Sequence, residues 1–515
     1  MGFGRNQTPR LLHNPLHSHT PFHFLGSGPY NARMITRTKI VATVGPASAD
    51  IDVMRKLVQA GCDVFRINFS HGSNEQRLGF LENIRRIERE TGEPIAVMAD
   101  LCGPKIRVGL IEGGCVRLVE GGKITIQRQP VTGTASRIST TLRELVDCLQ
   151  VGQNVLLDDG KLRFVVESRK ADEVECRVIR GGTLSDGKGV NLPQTELKLS
   201  ALTEKDRADV EWIASQDFDF VALSFVRSPK DVQELRDLLS QHGGERLHII
   251  SKIEKPAALE QIEGIMAAGD GVMVARGDLG VEMDLPAVPA AQKKIAALAR
   301  KMGKVCIIAT QMLESMTQSP TPTRAEVSDV ANAVMDCTDA VMLSGETAVG
   351  KFPVEAVGMM NRIVEAAQDY HDHCSCRQPV GPSAGNTVRA IVSAVREVLS
   401  VTNVAVTAVF TVSGQTALLL AKGRLPSPIL AISPDKHAVR RMCMYYGVDA
   451  FLAPAPEHTR DVLEIAERCA LSRGLAKTGD NIVVLSGRPI NASGAINTLV
   501  VHQAGSTAAA APELL

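Results

Sequence analysis

The sequence predicts an α/β protein: a (β/α)8 barrel of the TIM-barrel type, with a small all-β domain inserted after its third strand and a C-terminal α/β domain with an open sheet. Eight short apolar runs alternate with helical patterns within roughly 250 residues once the insertion is set aside, which is the repeat of this barrel. The runs are apolar almost without interruption, so we expect strands buried on both faces of a parallel sheet. The repeat breaks at 104–194 and changes character after 370.

The barrel elements follow one another along the chain, with an open doubly wound sheet as the alternative arrangement. The strands are expected at 38–45, 64–72, 95–101, 220–226, 248–251, 272–275, 305–310 and 340–347. The helices are expected at 52–61, 75–92, 205–216, 230–243, 258–269, 292–303, 323–337 and 354–370. The first helix closes on Gly61, as helix ends commonly do.

The insertion differs from the barrel in texture. It is rich in glycine, its strands alternate as in KITIQ and RFVVES, and DDG at 158–160 signals a turn, which indicates a small β domain able to close over the barrel as a lid. After a linker-like stretch at 371–386 and a helix at 387–400, further strands are expected at 408–412, 428–433, 449–453 and 481–487. They predict an open, mostly parallel sheet. The expected domains are the barrel (34–103 and 195–370), the lid (104–194), the C-terminal regulatory domain (371–505) and a tail (506–515).

Composition excludes several classes of function. The 57 basic and 57 acidic side chains balance to a net charge of zero, and aromatic residues make up only 3% of the 515 residues, so we expect no nucleic-acid partner. No apolar run approaches the roughly 18–20 residues that span a membrane. The 11 cysteines include no CxxC pair, which favours reduced thiols and a cytoplasmic protein.

Residues 1–33 stand apart from the rest of the chain. They hold four of the twelve histidines, three arginines and no acidic residue. A transit peptide is one explanation of a basic, acid-poor leader. Because serine is sparse and no amphipathic helix is evident, we expect a disordered extension or a mis-assigned start, with Met34 as the true first residue.

Polar side chains interrupt the apolar strands at one edge of the expected barrel. They are Thr43, Arg66, Asn68, Ser70, His71, Asp100, Ser224, Arg227, Lys252, Glu254, Asp278, Thr310, Gln311, Ser344 and Glu346. At any single strand end, a salt bridge is the simpler explanation. Eight ends together favour a ligand site, because buried charges need partners and barrels bind ligands at the C-terminal ends of their strands.

The residue types indicate phosphoryl chemistry assisted by a metal. Glu254 and Asp278 suit Mg²⁺, which prefers oxygen ligands, whereas Arg66 and Lys252 suit phosphoryl oxygens. The N–H of Gly277, in an expected RGD turn, is suited to a substrate carboxylate. Nearby carboxylates would keep Lys252 charged, which disfavours a Schiff base. The sequence contains no P-loop motif, and the HxHCxC stretch beginning at 371 is too crowded for one tetrahedral ion.

Several long motifs resemble those of the pyruvate kinase family, in that family's order: FRINFSHG, GPKIR, DDGK, KGVNLP, ALSFVR, SKIE, VARGDLGVE, IATQMLESM, PTRAEVSDVANAV and LSGETA. The resemblance is dense over 36–370 and looser beyond. It implies transfer of the phosphoryl group of phosphoenolpyruvate to ADP, giving pyruvate and ATP, with Mg²⁺ or Mn²⁺ as cofactor. It also implies a homotetramer.

The resemblance assigns roles by position. Glu254 and Asp278 would bind Mg²⁺, and Lys252 and Arg66 would stabilise the transferring phosphoryl group. Substrate binding would involve Arg66, Lys252, Gly277, Asp278 and Thr310, and nucleotide binding Asn68, His71, Arg107 and Lys188. Our hypothesis for the final proton donor is Thr310, with a water relay near Ser344 and Glu346.

One departure from the family pattern concerns the monovalent cation. Many members read DTKGPEIR after the third strand and need K⁺, whereas this chain reads DLCGPKIR. The possible K⁺ ligands are Asn68, Ser70, Asp100 and Leu101. Lys105 stands where those members have glutamate, and its ammonium can supply the charge that K⁺ supplies elsewhere. We therefore expect activity without K⁺.

The loop TVSGQT at 411–416 offers a possible phosphate cradle. Thr411, Ser413, Gly414 and Thr416 resemble the family's effector loop, which implies a phosphorylated allosteric effector. A plain helix N-cap is the alternative explanation. Two rival functions remain open at this point: an Mg²⁺-dependent aldolase or lyase of pyruvate-like acids, and a non-catalytic metabolite sensor.

Overall fold

The computed structural model describes residues 36–195, 200–373, 386–487 and 496–506. Its first part builds three barrel strands and two helices. They are β1 (Lys39–Val44), α1 (Ile51–Gln59), β2 (Val64–Asn68), α2 (Asn74–Thr91) and β3 (Ala96–Asp100). Helix α2 opens with a capping box formed by Ser73 and Gln76, and ends on Gly92 at φ +70°, so both of its ends are fixed by local sequence.

The insertion between the third and fourth barrel strands is an all-β unit with one short helix. Its elements are β4 (Cys115–Leu118), β5 (Lys123–Gln127), β6 (Arg137–Ser139), α3 (Leu145–Cys148), β7 (Asn154–Leu157), β8 (Leu162–Arg169), β9 (Glu173–Arg180), β10 (Gly182–Ser185) and β11 (Val190–Asn191). Six strands form one sheet in the order β11-β7-β8-β9-β5-β6, and β10 pairs with β4. Alternating side chains such as Ile124, Phe164 and Val178 form a separate core.

The chain then completes the barrel with five strands and their helices. They are α4 (Glu204–Ser215), β12 (Phe220–Leu223), α5 (Pro229–Gln241), β13 (His248–Ile253), α6 (Pro256–Glu260), α7 (Ile262–Ala268), β14 (Gly271–Ala275), α8 (Arg276–Glu282), α9 (Val288–Met302), β15 (Val305–Ala309), α10 (Arg324–Met335), β16 (Ala340–Leu343), α11 (Gly345–Ala348) and α12 (Pro353–His373). The eight strands are parallel and close in the order β1-β2-β3-β12-β13-β14-β15-β16. The predicted fold class is confirmed, and the open sheet is excluded for this part of the chain.

Several local expectations were wrong. The single helix expected at 258–269 is two helices, because the backbone leaves helical geometry at Gln261. The fourth strand ends at Leu223 instead of 226, since Phe225 adopts φ +56°. The expected RGD turn and the end of the eighth strand are instead the short helices α8 and α11.

The C-terminal part is the expected α/β unit. It comprises α13 (Asn386–Val401), β17 (Val404–Phe410), α14 (Gln415–Lys422), β18 (Ile429–Ser433), α15 (Lys436–Met442), β19 (Val448–Leu452), α16 (Thr459–Ser472), β20 (Asn481–Ser486) and β21 (Thr498–Gln503). The sheet order is β19-β18-β17-β20-β21, parallel except for the last strand, which runs antiparallel to β20. The exact domain boundaries stay a prediction, and 1–33 and most of the tail lie outside the described residues.

Buried and partly buried ion pairs join this unit to the barrel. Lys422 on α14 pairs with Asp339, which precedes β16, and both side chains are almost completely buried. Arg440 on α15 donates to Glu88 of α2 at 2.8 Å and to Asp217 at 2.8 Å. The C-terminal unit is therefore attached to the barrel both beside β16 and at the C-terminal half of α2.

Within the described residues, no helix is both long enough and apolar enough to cross a membrane.

Candidate active site

The centre of the site is a buried ammonium between two carboxylates. Nζ of Lys252, on β13, lies 2.9 Å from Oε1 of Glu254 and 3.3 Å from Oδ1 of Asp100. It also donates to the Ser224 hydroxyl at 2.7 Å. Because β13 neighbours β12, and β12 neighbours β3, the barrel brings together groups that are more than 120 residues apart in sequence.

Arg66 extends this cluster along the neighbouring strands. Its Nε donates to Oδ2 of Asp100 at 2.6 Å, and its Nη1 donates to the Thr43 hydroxyl at 3.0 Å. The parallel register places Arg66 beside Thr43. Two cations therefore converge on Asp100 at the mouth of the barrel.

Burial and neighbouring charges shift the pKa of three groups in the cluster. Burial disfavours the ammonium of Lys252, but Asp100 and Glu254 outweigh that cost and raise its pKa. Burial also disfavours the charged form of Asp100, yet Lys252 and Arg66 overcome it and hold that pKa below its usual range. Burial raises the pKa of Glu254, Lys252 opposes the rise, and Asp278 adds to it. Lys252 is thus charged, as expected from the sequence.

Glu254 and Asp278 fit a divalent cation. The repulsion that Asp278 exerts on buried Glu254 is relieved when a cation lies between the two carboxylates. Among the described residues, no group of three or more His, Cys, Asp or Glu side chains is suited to a metal. With Mg²⁺ bound, Glu254 and Asp278 would be its protein ligands, since Mg²⁺ is usually held by one or two carboxylates together with water and substrate oxygens. The HxHCxC side chains lie outside the described residues.

Asp278 and Gly277 lie in the first turn of α8. The N–H of Gly277 donates to the Thr310 hydroxyl at 2.7 Å, and that hydroxyl donates to the carbonyl of Ala309 at 2.6 Å. Thr310 has φ +69°, a strained conformation for a β-branched residue. The strand end after β15 therefore holds the Thr310 hydroxyl against α8.

Ser344 follows β16 at the next strand end. Its backbone N–H donates to Oε2 of Glu346 at 2.7 Å, and Oε1 of the same buried carboxylate accepts from Leu313 at 3.0 Å. Oγ of Ser344 is buried without a hydrogen-bond partner in the described part of the chain. Glu346 is therefore held by backbone N–H groups, whereas the Ser344 hydroxyl remains available to a ligand or water.

The loop after β2 carries Asn68, Ser70 and His71. The Asn68 side chain accepts the N–H of Ser70 at 3.0 Å, and the His71 side chain is exposed. The N–H of Phe69 donates to the carbonyl of Asp100 at 2.9 Å. This bond ties the loop to the end of β3, beside the central cluster.

The structure brings Leu101 to the cluster, whereas no ion pair joins Lys105 to another of the described residues. The carbonyl of Leu101 accepts the Ser224 hydroxyl at 2.8 Å. The side chain of Lys105 lies close to Gly189 of the insertion: a Cβ atom placed on Gly189 would be 3.5 Å from Cε of Lys105. Lys105 therefore packs beside the start of β11.

The two expected nucleotide ligands of the insertion pair within the insertion. Nη1 of Arg107 donates to the carbonyl of Gly187 at 2.9 Å. Nζ of Lys188 lies 2.9 Å from Oδ1 of Asp158, a residue at φ +50° in the DDG turn. Both cations are therefore held by groups of the insertion itself.

The expected effector loop is a helix start. The Thr411 hydroxyl accepts the N–H of Gly414 at 3.0 Å, and the Ser413 hydroxyl accepts that of Gln415 at 3.4 Å. Gly414 has φ +84° and precedes α14, with Thr416 half-buried in its first turn. Both explanations of this loop, a phosphate cradle and an N-cap, are compatible with this geometry.

Two contributors to the site were missed in the sequence. The N–H of Phe225 donates to Oε2 of Glu254 at 2.7 Å, made possible by its left-handed backbone. Arg77, on the first half of α2, reaches the carbonyls of the loop after β2. A backbone donor leaves no signal in side-chain chemistry, and an arginine on a helix resembles an ordinary surface residue.

A (β/α)8 barrel whose mouth gathers a charged lysine, an arginine and two carboxylates suited to a divalent cation defines a phosphotransferase of the barrel class. Comparison with known families then identifies which one. The model of the pyruvate kinase barrel domain matches residues 35–357, and that of the pyruvate kinase alpha/beta domain matches residues 389–502. The chain belongs to the pyruvate kinase family.

Individual relatives agree with this assignment. The chain is 42% identical to a pyruvate kinase of Geobacillus stearothermophilus, over 91% of this chain and 80% of the relative. It is 41% identical to one of Agrobacterium vitis, over 91% and 98%, and 40% identical to one of Mycobacterium tuberculosis, over 92% and 99%. The protein is accordingly a phosphotransferase with phosphoenolpyruvate and ADP as substrates, in a family that generally uses Mg²⁺.

Proposed function

We propose that the cluster of Arg66, Asp100, Lys252 and Glu254 is where the phosphoryl group passes from phosphoenolpyruvate to ADP. The observation that carries this proposal is the placement of the Lys252 ammonium, 2.9 Å from Glu254 and 3.3 Å from Asp100, with Arg66 on the far side of Asp100. Phosphoryl transfer is catalysed mainly by positioning and by charge stabilisation. Both cations are preorganised, so little rearrangement is needed when charge develops.

The other residues of the mouth would orient the substrate. Glu254 and Asp278 would hold Mg²⁺, which when bound screens the charge of phosphoryl and carboxylate oxygens. The N–H of Gly277 donates to the Thr310 hydroxyl in this structure, so the substrate carboxylate would replace that hydroxyl as its acceptor. Lys252, kept charged by its neighbours, would neutralise the enolate of pyruvate as it forms.

Thr310 is our proposed route for the final proton, through a water held near Ser344 and Glu346. The buried hydroxyl of Ser344, without a partner in the part of the chain described, supports a water at that place. Replacing Thr310→Val should slow the incorporation of solvent deuterium into pyruvate. An unchanged incorporation rate in the folded variant would refute this role.

The nucleotide would lie between the barrel and the insertion, on Asn68 and His71 from one side and Arg107 and Lys188 from the other. The insertion would act as a lid, since closure completes the site. Lys188 pairs with Asp158, so it would exchange that partner for a nucleotide phosphate.

We further propose that the enzyme works without K⁺. Three of the four possible ligands already have protein partners: Asp100 has two cations, the Leu101 carbonyl accepts from Ser224, and the Asn68 side chain accepts from the N–H of Ser70. Activity should be similar in K⁺ and in tetramethylammonium. The matched variant Lys105→Glu should gain a K⁺ requirement, and a manyfold activation of the parent by K⁺ would defeat the proposal.

Regulation is proposed to act through the loop around Ser413 in a homotetramer, with a phosphorylated metabolite as effector. Ser413→Asp would place a negative charge in the cradle. It should abolish activation by sugar phosphates and AMP while activity at saturating phosphoenolpyruvate is retained. If the variant responds to the same effectors as the parent, the loop does not bind the effector and serves only as a helix N-cap.

One assay separates the proposed reaction from its rivals. ADP-dependent formation of pyruvate and ATP from phosphoenolpyruvate is the expected result. Carbon–carbon cleavage without ADP would indicate an aldolase or lyase, and no turnover would indicate a sensor.

A further inference from the structure

Arg77 is a buried arginine that holds the loop after β2. It lies on the first half of α2 and is only 4% exposed. Its Nη2 donates to three backbone carbonyls of that loop: Phe69 at 3.0 Å, His71 at 2.9 Å and Gly72 at 2.9 Å. Its Nη1 donates to Asn74 at 2.6 Å. One guanidinium therefore fixes three carbonyls within four residues.

The guanidinium is itself held in place by groups other than these carbonyls. It stacks over the ring of Phe69, 4.3 Å from the ring centroid, and that ring packs against Trp212 and Phe218 at 6.0 Å each. Asp209 lies 3.8 Å from Nη1. Because an arginine fork held by packing keeps one geometry, the loop carbonyls that it bonds are restricted as well.

The residues that Arg77 restrains neighbour or include the proposed ligands. Phe69 lies between Asn68 and Ser70, and the carbonyl of His71 is bonded directly. Arg77 itself is nine-tenths buried beneath the loop and gives its Nη donors to protein groups. Its influence on a ligand would therefore be exerted through the loop backbone.

We propose that Arg77 is the positioning residue of the nucleotide loop, holding Asn68 and His71 in the conformation that receives ADP. This inference rests on the proposed placement of the nucleotide at those two residues. Without Arg77 the loop would have to be ordered by each incoming nucleotide, and the cost would appear in the apparent affinity for ADP. Phosphoenolpyruvate binds at the central cluster, which Arg77 does not contact, so its KM is expected to stay within twofold.

The experiment compares Arg77→Lys with the parent enzyme in steady-state kinetics for each substrate. Lysine keeps the charge but lacks the planar fork. Fixing the backbone of one residue costs roughly a factor of ten in an equilibrium constant, so the KM for ADP should rise about tenfold. If the KM for ADP is unchanged, or if both KM values rise equally, the inference is overturned. Arg77→Gln, measured in the same way, serves if the lysine variant does not fold.

The matched control is Arg85→Lys on the same helix. Arg85 is also buried, and it donates to the carbonyls of Ile95 and Asp217 at 2.6 Å each, at the opposite end of the barrel. It should lower the melting temperature and leave both KM values unchanged. An equal rise in the KM for ADP in this control would reveal general destabilisation and refute the inference. His71→Ala tests the site itself: if it leaves the KM for ADP unchanged, the proposed nucleotide placement fails instead.

Discussion

Replacing Lys252→Met removes the central cation of the site while keeping most of the side-chain volume. At separations of 2.9 and 3.3 Å, an effective dielectric constant of about 20 gives roughly 5 kcal/mol of attraction for each carboxylate. Desolvation of the buried ammonium offsets a large part of this sum. Truncating one member of a buried ion cluster typically costs about 3–5 kcal/mol of stability. We expect the lower end, because Asp100 keeps Arg66 as a partner.

The catalytic loss should exceed what the stability change explains. A preorganised group that stabilises transition-state charge is worth about 10²–10³ in kcat, or roughly 2.7–4 kcal/mol. We therefore expect kcat to fall by that factor at saturating phosphoenolpyruvate and ADP, measured at a temperature where the variant is folded. Lys255→Met is the matched control, because Lys255 pairs with Glu282 at 2.8 Å outside the cluster and should retain activity. A Lys252→Met enzyme within tenfold of the parent kcat would refute the role of this ammonium.

Two further predictions concern the metal and pH. Asp278→Asn should raise the Mg²⁺ concentration for half-maximal activity by at least about tenfold. The control is Asp284→Asn, because Asp284 is an exposed carboxylate just past α8, and it should leave that concentration unchanged. Equal effects of the two variants would show that Asp278 is not a metal ligand. Burial lowers the pKa of His248 to about 4, below its unfolded value near 6.5. Its contribution to stability is thus fully present above about pH 6.5 and is lost as pH falls towards 4, because in this range a proton binds His248 in the unfolded chain but not in the folded protein. The loss of folding free energy reaches about 3 kcal/mol. Melting temperatures of the parent and His248→Gln across this range should converge at low pH, and parallel curves would contradict the assignment.

Much of the barrel could be predicted because its strands are continuous apolar runs, such as VCIIA at 305–309, whose burial on both faces is typical of a parallel sheet. The ends of the strands were harder to predict. Phe225 belongs to an apolar run, yet its left-handed backbone ends the strand and supplies a donor to Glu254. Asp278 was expected in a turn, whereas the turn continues into α8. Residue type indicates what a side chain can do, but these conformations depend on contacts with other strands.

The same limit explains which residues of the site could be predicted from the sequence and which could not. Lys252, Glu254 and Arg66 could be proposed because charges are conspicuous at the ends of apolar strands. Arg77 could not, because its partners are backbone carbonyls that carry no sequence signal.

Helix α2 connects two attachments that have so far been described separately. Its first half carries Arg77, which holds the loop after β2, and its last turns carry Glu88, which binds Arg440 of the C-terminal unit. At 1.5 Å per residue, the 11 positions from 77 to 88 span roughly 16–17 Å of rigid helix. Helix α2 thus connects α15 to the loop after β2. We therefore expect a displacement of α15 to be transmitted along the helix to that loop.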